Sequence, residues 1–184
     1  MDDAARGSRK APPSDDGDLR GEGLRFALAC SRFNRSITDA LLEGATDALL
    51  SHGVASAAIT VAWAPGAFEL PLVAKRLASS GEVDAVICLG AVIRGDTGHY
   101  THVATQCAAG IQRAQLDTGV PVAFGVLTTE NVDQAIERAD PRAANKGAEV
   151  ARAAMEMVAL LRRLPKPPAP AVPAPPAAPA PAVP

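Results

Sequence analysis

Four short segments hold an unusual share of the chain's scarce chemistry: Ser31-Arg32-Phe33-Asn34, Ala64-Pro65-Gly66-Ala67-Phe68-Glu69, Arg94-Gly95-Asp96-Thr97-Gly98-His99 and Thr128-Thr129. They contain two of the four phenylalanines and one of the three histidines. Gly95 to His99 offers two glycines and a threonine hydroxyl before an apolar-periodic stretch. Backbone donors at a helix N-terminus make a cradle for phosphate. The plainer reading is a turn capped by Asp96 or Thr97, and from these residues alone it is favoured. No Gly-Lys-Ser/Thr follows, and Gly90 and Gly95 lack dinucleotide-fingerprint spacing. His99 falls in the first helical turn, where an imidazole can move protons near neutral pH. His102 lies one turn on, but a third metal ligand at a recognisable spacing is missing. Proton transfer therefore ranks first, a surface histidine second and a metal pair third. His52, beside Gly53, reads as a partner for a helix C-terminal dipole.

Phe33 could stack on a planar ring, although a core phenylalanine at a helix entry is the commoner use. Glu69 brings a carboxylate to the same region, or complements a helix dipole as a first-turn acid. Arg138 and Lys146 are cations without an obvious local carboxylate, and read most simply as a solvated helix face.

The elements that position these residues follow from periodicity. Leu24–Cys30, Ala58–Trp63, Asp84–Ile93 and Val120–Thr128 are nearly continuous apolar runs, as expected of strands buried on both faces of a parallel sheet. Helices come between. Ile37, Leu41, Ala45 and Ala48 share one face and stop at Gly53. Phe68, Leu72 and Arg76 define a shorter helix with Pro71 in its first turn. Val103, Cys107 and Ile111 form a third stripe. Asn131 with Gln134 caps a short helix to Arg138, and Asp140-Pro141 breaks the chain. A final helix carries Val150, Ala154, Met157, Val158 and Leu161 on one side and stops at Pro165. Alternating strand and helix predicts a three-layer α/β sandwich over a four-stranded parallel sheet. Ligands of such sheets bind beyond the strands' carboxyl ends, where the four segments fall.

Composition bounds the rest. Ten of the 16 prolines lie between Pro165 and Pro184, with seven alanines, a mixture that excludes a packed helix and a bilayer span. Residues 1–23 read as an irregular arm, 24–164 as one domain and 165–184 as a disordered, extended tail. Asp16 to Arg25 could form a peripheral strand that pairs with an edge on another subunit. Eighteen basic against 20 acidic side chains, with six aromatics, argue against a nucleic-acid surface. The acidic start lacks an apolar h-region. Cys30, Cys88 and Cys107 read as buried free thiols in a reducing cytoplasm.

Five motifs occur in the order seen in the 6,7-dimethyl-8-ribityllumazine synthase family, which the chain resembles from about Gly17 to Leu164. They are Ser31–Asn34, Pro65–Pro71, Leu89–Tyr100, Phe124–Asn131 and Asn145–Gly147. The resemblance implies a flavodoxin-like fold and condensation of 5-amino-6-(D-ribitylamino)uracil with 3,4-dihydroxy-2-butanone 4-phosphate, without metal or organic cofactor. This is the penultimate step of riboflavin biosynthesis. It implies that Phe33 stacks on the ring and that Asn34 and the segment holding Ala67, Phe68 and Glu69 contact the ribityl chain. Val92 and Ile93 would meet the pyrimidine through backbone groups. Gly95, Asp96 and Thr97 fall at the phosphate loop, with His99 as acid/base. Phe124, Arg138 and Lys146 match positions supplied by an adjacent subunit, with Arg138 on the phosphate.

The family forms pentamers and, in many members, 60-subunit shells. The short link Ala139–Ala144 leans towards a shell, and riboflavin synthase is a candidate partner. Gly98 and the stretch Asp140–Ala144 depart from the commonest pattern. Two rivals remain: a riboflavin- or lumazine-binding member with little turnover, and a shell protein whose tail docks cargo. Retention of His99, Arg138 and Lys146 together argues against pure storage.

Overall fold

A computed structural model gives the structure of residues 19–165. Most of the predicted arm and the tail beyond Pro165 lie outside these described residues. So does the start of the strand expected at Asp16–Arg25; from Leu19 to Arg25 the chain forms no strand. That stretch is tied to the body instead by the Gly21 amide donating to the His52 carbonyl at 2.7 Å, by the buried Leu24 side chain and by the Arg25 guanidinium donating to the Gly81 carbonyl at 3.3 Å.

Four strands, β1 (Phe26–Ser31), β2 (Ile59–Ala64), β3 (Ala85–Ile93) and β4 (Val122–Thr129), pair in the order β2-β1-β3-β4. Every pairing is parallel. The helices are α1 (Arg35–Ser51), α2 (Leu70–Ala78), α3 (His99–Thr118), α4 (Val132–Ala139) and α5 (Lys146–Arg163). The predicted strands lie within one or two residues of those observed.

The continuous apolar runs resolve into two alternating sets. Phe26, Leu28 and Cys30 of β1 join Ile87 and Leu89 of β3 in a core shared with α1, α4 and α5. Ala27 and Ala29 join Val86 and Cys88 in the core under α2 and α3. A strand with helices on both faces has no side for water, which explains the lack of polar alternation. The crossover through α1 covers one face and that through α2 the other. Chain order therefore reverses between β1 and β3, and a crevice opens at that switch point.

Two predicted helix faces are turned. On α2 the buried residues are Leu70, Ala74 and Ala78, while Leu72 is exposed and Phe68 lies in a 3-10 turn before the helix. On α5 the inward face is Gly147, Ala148, Ala151, Ala154, Met155 and Val158, with Met157 and Leu161 outside. Close packing selected small residues in both places. A Cβ on Gly147 would stand 2.1 Å from the Leu41 carbonyl oxygen of α1, and one on Gly110 of α3 would stand 2.7 Å from Pro71 of α2.

The start of α4 and the end of α1 follow their predicted chemistry. The Asn131 side chain accepts from the Gln134 amide at 2.9 Å, while the Gln134 side chain accepts from the Glu130 amide. His52 caps α1, its Nδ1 2.7 Å from the Ala48 carbonyl oxygen. At the amino end of the sheet, Asp84 accepts from the Arg25 amide at 2.8 Å and from the Arg162 guanidinium at 3.0 Å, fastening the end of α5. Among the described residues no helix is long and apolar enough to cross a membrane.

Candidate active site at the carboxyl ends of β1, β2 and β3

The turn after β1 is built to present Phe33. The Ser31 hydroxyl donates to the Phe33 carbonyl at 3.2 Å, and Asn34 adopts a left-handed conformation at φ 58°. Asparagine tolerates that region better than other side chains with a Cβ. Its Nδ2 donates to the Ala91 carbonyl of β3 at 2.9 Å, stitching the turn across the switch point. The result leaves Phe33 70% exposed, which overturns the core reading. Burying such a ring would contribute about 1.5–3 kcal/mol. A turn held this firmly while forgoing that gain is shaped for something other than folding.

Phe33 stands at one side of a crevice of about 510 Å³, within the range of small-molecule sites. Asn34, Ala67, Phe68 and Glu69 line it with Pro65 and Gly66. Ala91, Val92 and Ile93 form the sheet end. Gly95, Thr97 and His99 complete the lining, with Tyr100 and Val103. Phe68 is also exposed, at 57%, so two aromatic faces flank one cavity. Glu69 lines the crevice; it stands at the N-cap of α2 rather than in its first turn, and its side chain makes no capping bond.

The turn before α3 departs from the expected capping. Gly98, not Asp96 or Thr97, is the N-cap and makes no side-chain capping bond. The Thr97 hydroxyl oxygen lies 3.5 Å from the His99 amide. Among the described residues the backbone nitrogens of Gly95, Asp96, Thr97 and Gly98 have no hydrogen-bond partner. A loop of open amides at the start of a 20-residue helix, with the helix dipole behind it, is an anion-binding arrangement. Asp96 is exposed in this loop but does not line the crevice. His102 is exposed one turn further on, also outside it.

Other expected residues lie elsewhere. The Thr129 hydroxyl donates to the Asn131 carbonyl at 2.9 Å, and neither Thr128 nor Thr129 reaches the crevice. Phe124 and Lys146 line a second hollow of about 450 Å³ beside edge strand β4, with Val126, Val150 and Met157. Lys146 is not without a local carboxylate: it pairs with Glu149, one turn along α5. Arg138 lies on α4, half-buried, donating to the Gln134 carbonyl at 3.1 Å, and among the described residues no carboxylate pairs with it. The structure thus gathers Phe33, Asn34, Ala67, Phe68, Glu69, Val92, Ile93, Gly95, Thr97 and His99, and sets Phe124, Arg138 and Lys146 apart.

Sequence reasoning gave Tyr100 and Val103 no part in the crevice. Spacing held the signal, since His99, Tyr100 and Val103 share the first turn and a half of one helix. It also passed over Arg94, whose guanidinium pairs with Glu130 and lies 4.7 Å over the Tyr100 ring. The Glu130 carboxylate, through its hydrogen bond and charge, raises the pKa of that guanidinium further. Behind the site the three thiols are buried and free. Burial pushes Cys30 up to about 12 and Cys107 up to about 11, and raises Cys88 as well, which removes them as nucleophiles near neutral pH.

Fold and cavity together define an open α/β protein of the flavodoxin-like strand order, with a small-molecule crevice at its switch point. The model of the 6,7-dimethyl-8-ribityllumazine synthase family matches residues 23–162. The chain belongs to that family, and membership implies a transferase acting on small molecules and assembling as an oligomer.

Proposed function

We propose that the protein condenses 5-amino-6-(D-ribitylamino)uracil with 3,4-dihydroxy-2-butanone 4-phosphate, giving 6,7-dimethyl-8-ribityllumazine, phosphate and water. The observation that carries this reading is one cavity joining an exposed aromatic face to a loop of unpaired amides and a histidine at a helix N-terminus. A planar amine and a phosphorylated ketone need those features side by side.

Phe33 stacks on the pyrimidine, and the backbone at Val92 and Ile93 fixes its edge. Asn34, Ala67, Phe68 and Glu69 hold the ribityl chain. Asn34 has its side-chain oxygen Oδ1 for this purpose, because its Nδ2 is committed to the Ala91 carbonyl. The amides of Gly95, Asp96 and Thr97 take the phosphate, backed by the α3 dipole. The pyrimidine amine attacks the ketone, one water leaves as the imine forms, phosphate is eliminated, and the ribitylamino nitrogen closes the ring on the remaining carbonyl with loss of a second water. Each step moves a proton, and His99 is the group positioned to carry it. Holding two reactants in one crevice supplies a further entropic contribution.

Among the described residues no lysine or arginine of the same chain lines the crevice to meet the leaving phosphate. Arg138 of an adjacent subunit supplies that cation, with Phe124 and Lys146 completing the pyrimidine end. The support is their separation from the crevice and the hollow beside β4, an unpaired strand edge that a neighbour would cover. A head-to-tail ring, here a pentamer, brings two such different surfaces together.

A steady-state assay of lumazine absorbance with both substrates tests the reaction. Turnover that requires both is expected. Tight lumazine or riboflavin binding without turnover would replace the enzyme with a storage protein.

A further inference from the structure

Arg94 leaves the end of β3 with its backbone tied to β4, its amide donating to the Thr129 carbonyl at 2.9 Å. Its guanidinium is held between two partners, the Glu130 carboxylate in the loop after β4 and the Tyr100 ring in the first turn of α3. Glu130 is itself anchored, since its amide donates to the Gln134 side chain at 3.0 Å. Between Arg94 and Tyr100 runs the loop Gly95–Gly98, whose amide nitrogens are unpaired among the described residues. A Cβ built on Gly95 or Gly98 would meet nothing within 4 Å, so packing does not hold this loop at either glycine. The contact between Arg94 and Tyr100 joins its two ends.

We propose that Arg94 is a positioning residue. Glu130, Arg94 and Tyr100 form a clasp across the base of the loop, fixing the open amides relative to His99. The inference rests on the reading above that this loop takes the phosphate of the ketone substrate. Arg94 acts through Tyr100 rather than on substrate. Its charge is already met by Glu130, its flat face is already covered by the ring, and it does not line the crevice, whereas Tyr100 does. A guanidinium suits the task because it pairs at its edge and stacks on its face at once, which an ammonium cannot do.

Glu130→Gln separates the two roles open to this cation. If Arg94 positions, the substitution loosens the clasp and raises KM for 3,4-dihydroxy-2-butanone 4-phosphate on the order of threefold, as for loss of one exposed charged contact. If Arg94 met the phosphate itself, freeing it from Glu130 would lower KM, and that result overturns the proposal. Arg94→Met should raise the same KM, leave KM for the pyrimidine near its original value and leave the thermal midpoint unchanged. Arg94→Lys should fail to restore it, and full restoration by lysine would remove the stacking role. Hydrogen–deuterium exchange of the loop gives a readout independent of the reaction. Exchange across residues 95–100 should speed up in Glu130→Gln and Arg94→Met. Faster exchange in a protein that makes no lumazine would sink the assigned reaction but keep the clasp. Unchanged exchange would sink the clasp.

Discussion

The crevice beside β1 and β3 and the hollow beside β4 are of similar size, 510 and 450 Å³, and both are largely apolar, but they differ in how their few polar groups are used. In the first, groups are left open: Phe33 stands in solvent, and among the described residues the Gly95 and Thr97 amides and the side-chain oxygen of Asn34 have no partner. In the second, the charge is already met by Glu149, and the walls are mostly aliphatic, with Val126, Val150 and Met157 around Phe124. A surface that keeps its polar groups unsatisfied and well positioned is prepared for a polar ligand. One whose charge is already paired offers less to a polar ligand and is open to cover by another surface. On the function proposed above, the two concavities would be halves that meet across a subunit boundary.

The contrast predicts different consequences for lesions on each side. The largest effect belongs to the open side. His99→Ala should lower kcat by about 10²-fold, the low end for acid/base groups, with pyrimidine affinity nearly intact by calorimetry. An unchanged kcat at saturation would remove His99 from the chemistry. Phe33→Ala comes next, weakening pyrimidine and product binding by about 1 kcal/mol, a stacked ring's contribution beyond its area. Because Phe33 is exposed, its thermal midpoint should stay within error of the parent, and a large drop would restore the core reading. On the hollow side, Lys146→Met should lower kcat/KM by about fivefold through loss of a charged contact, while Glu149→Gln leaves both activity and midpoint close to the parent. Equal losses in the two variants would show that the pair serves α5 and not the site. The smallest effect concerns the core behind both. The native thiols should give no colour with an aromatic disulfide at pH 8 within minutes, and all three should react on unfolding. Rapid reaction of the native protein would mean that this core opens.

The strands were legible because burial on both faces writes an unbroken apolar run, and the site was legible because it must follow strand ends. Helix faces were less so. Reading Leu72, Met157 and Leu161 as inward follows size and hydrophobicity, whereas α2 and α5 press against their neighbours closely enough that glycine, alanine and a proline ring decide the face. The pairing of Lys146 with Glu149 was visible at i, i+3 spacing and was overlooked. The Phe33 exposure could not be read from the residue, since it depends on a left-handed Asn34 tied to Ala91, 57 residues away. The role of Arg94 was hidden for the same reason, because its partners lie on two other elements.

The most direct test of a site divided between neighbours is complementation. One chain carries His99→Ala with Phe33→Ala, and a second carries Arg138→Ala. In either homo-oligomer every site holds a lesion, and both should be nearly inactive. Denatured together in equal amounts and refolded, roughly a quarter of the head-to-tail interfaces would join an intact crevice to an intact Arg138. Activity should then rise well above either parent, towards that fraction of wild type. Verified mixed oligomers that stay as inactive as their parents would place the whole site within one subunit.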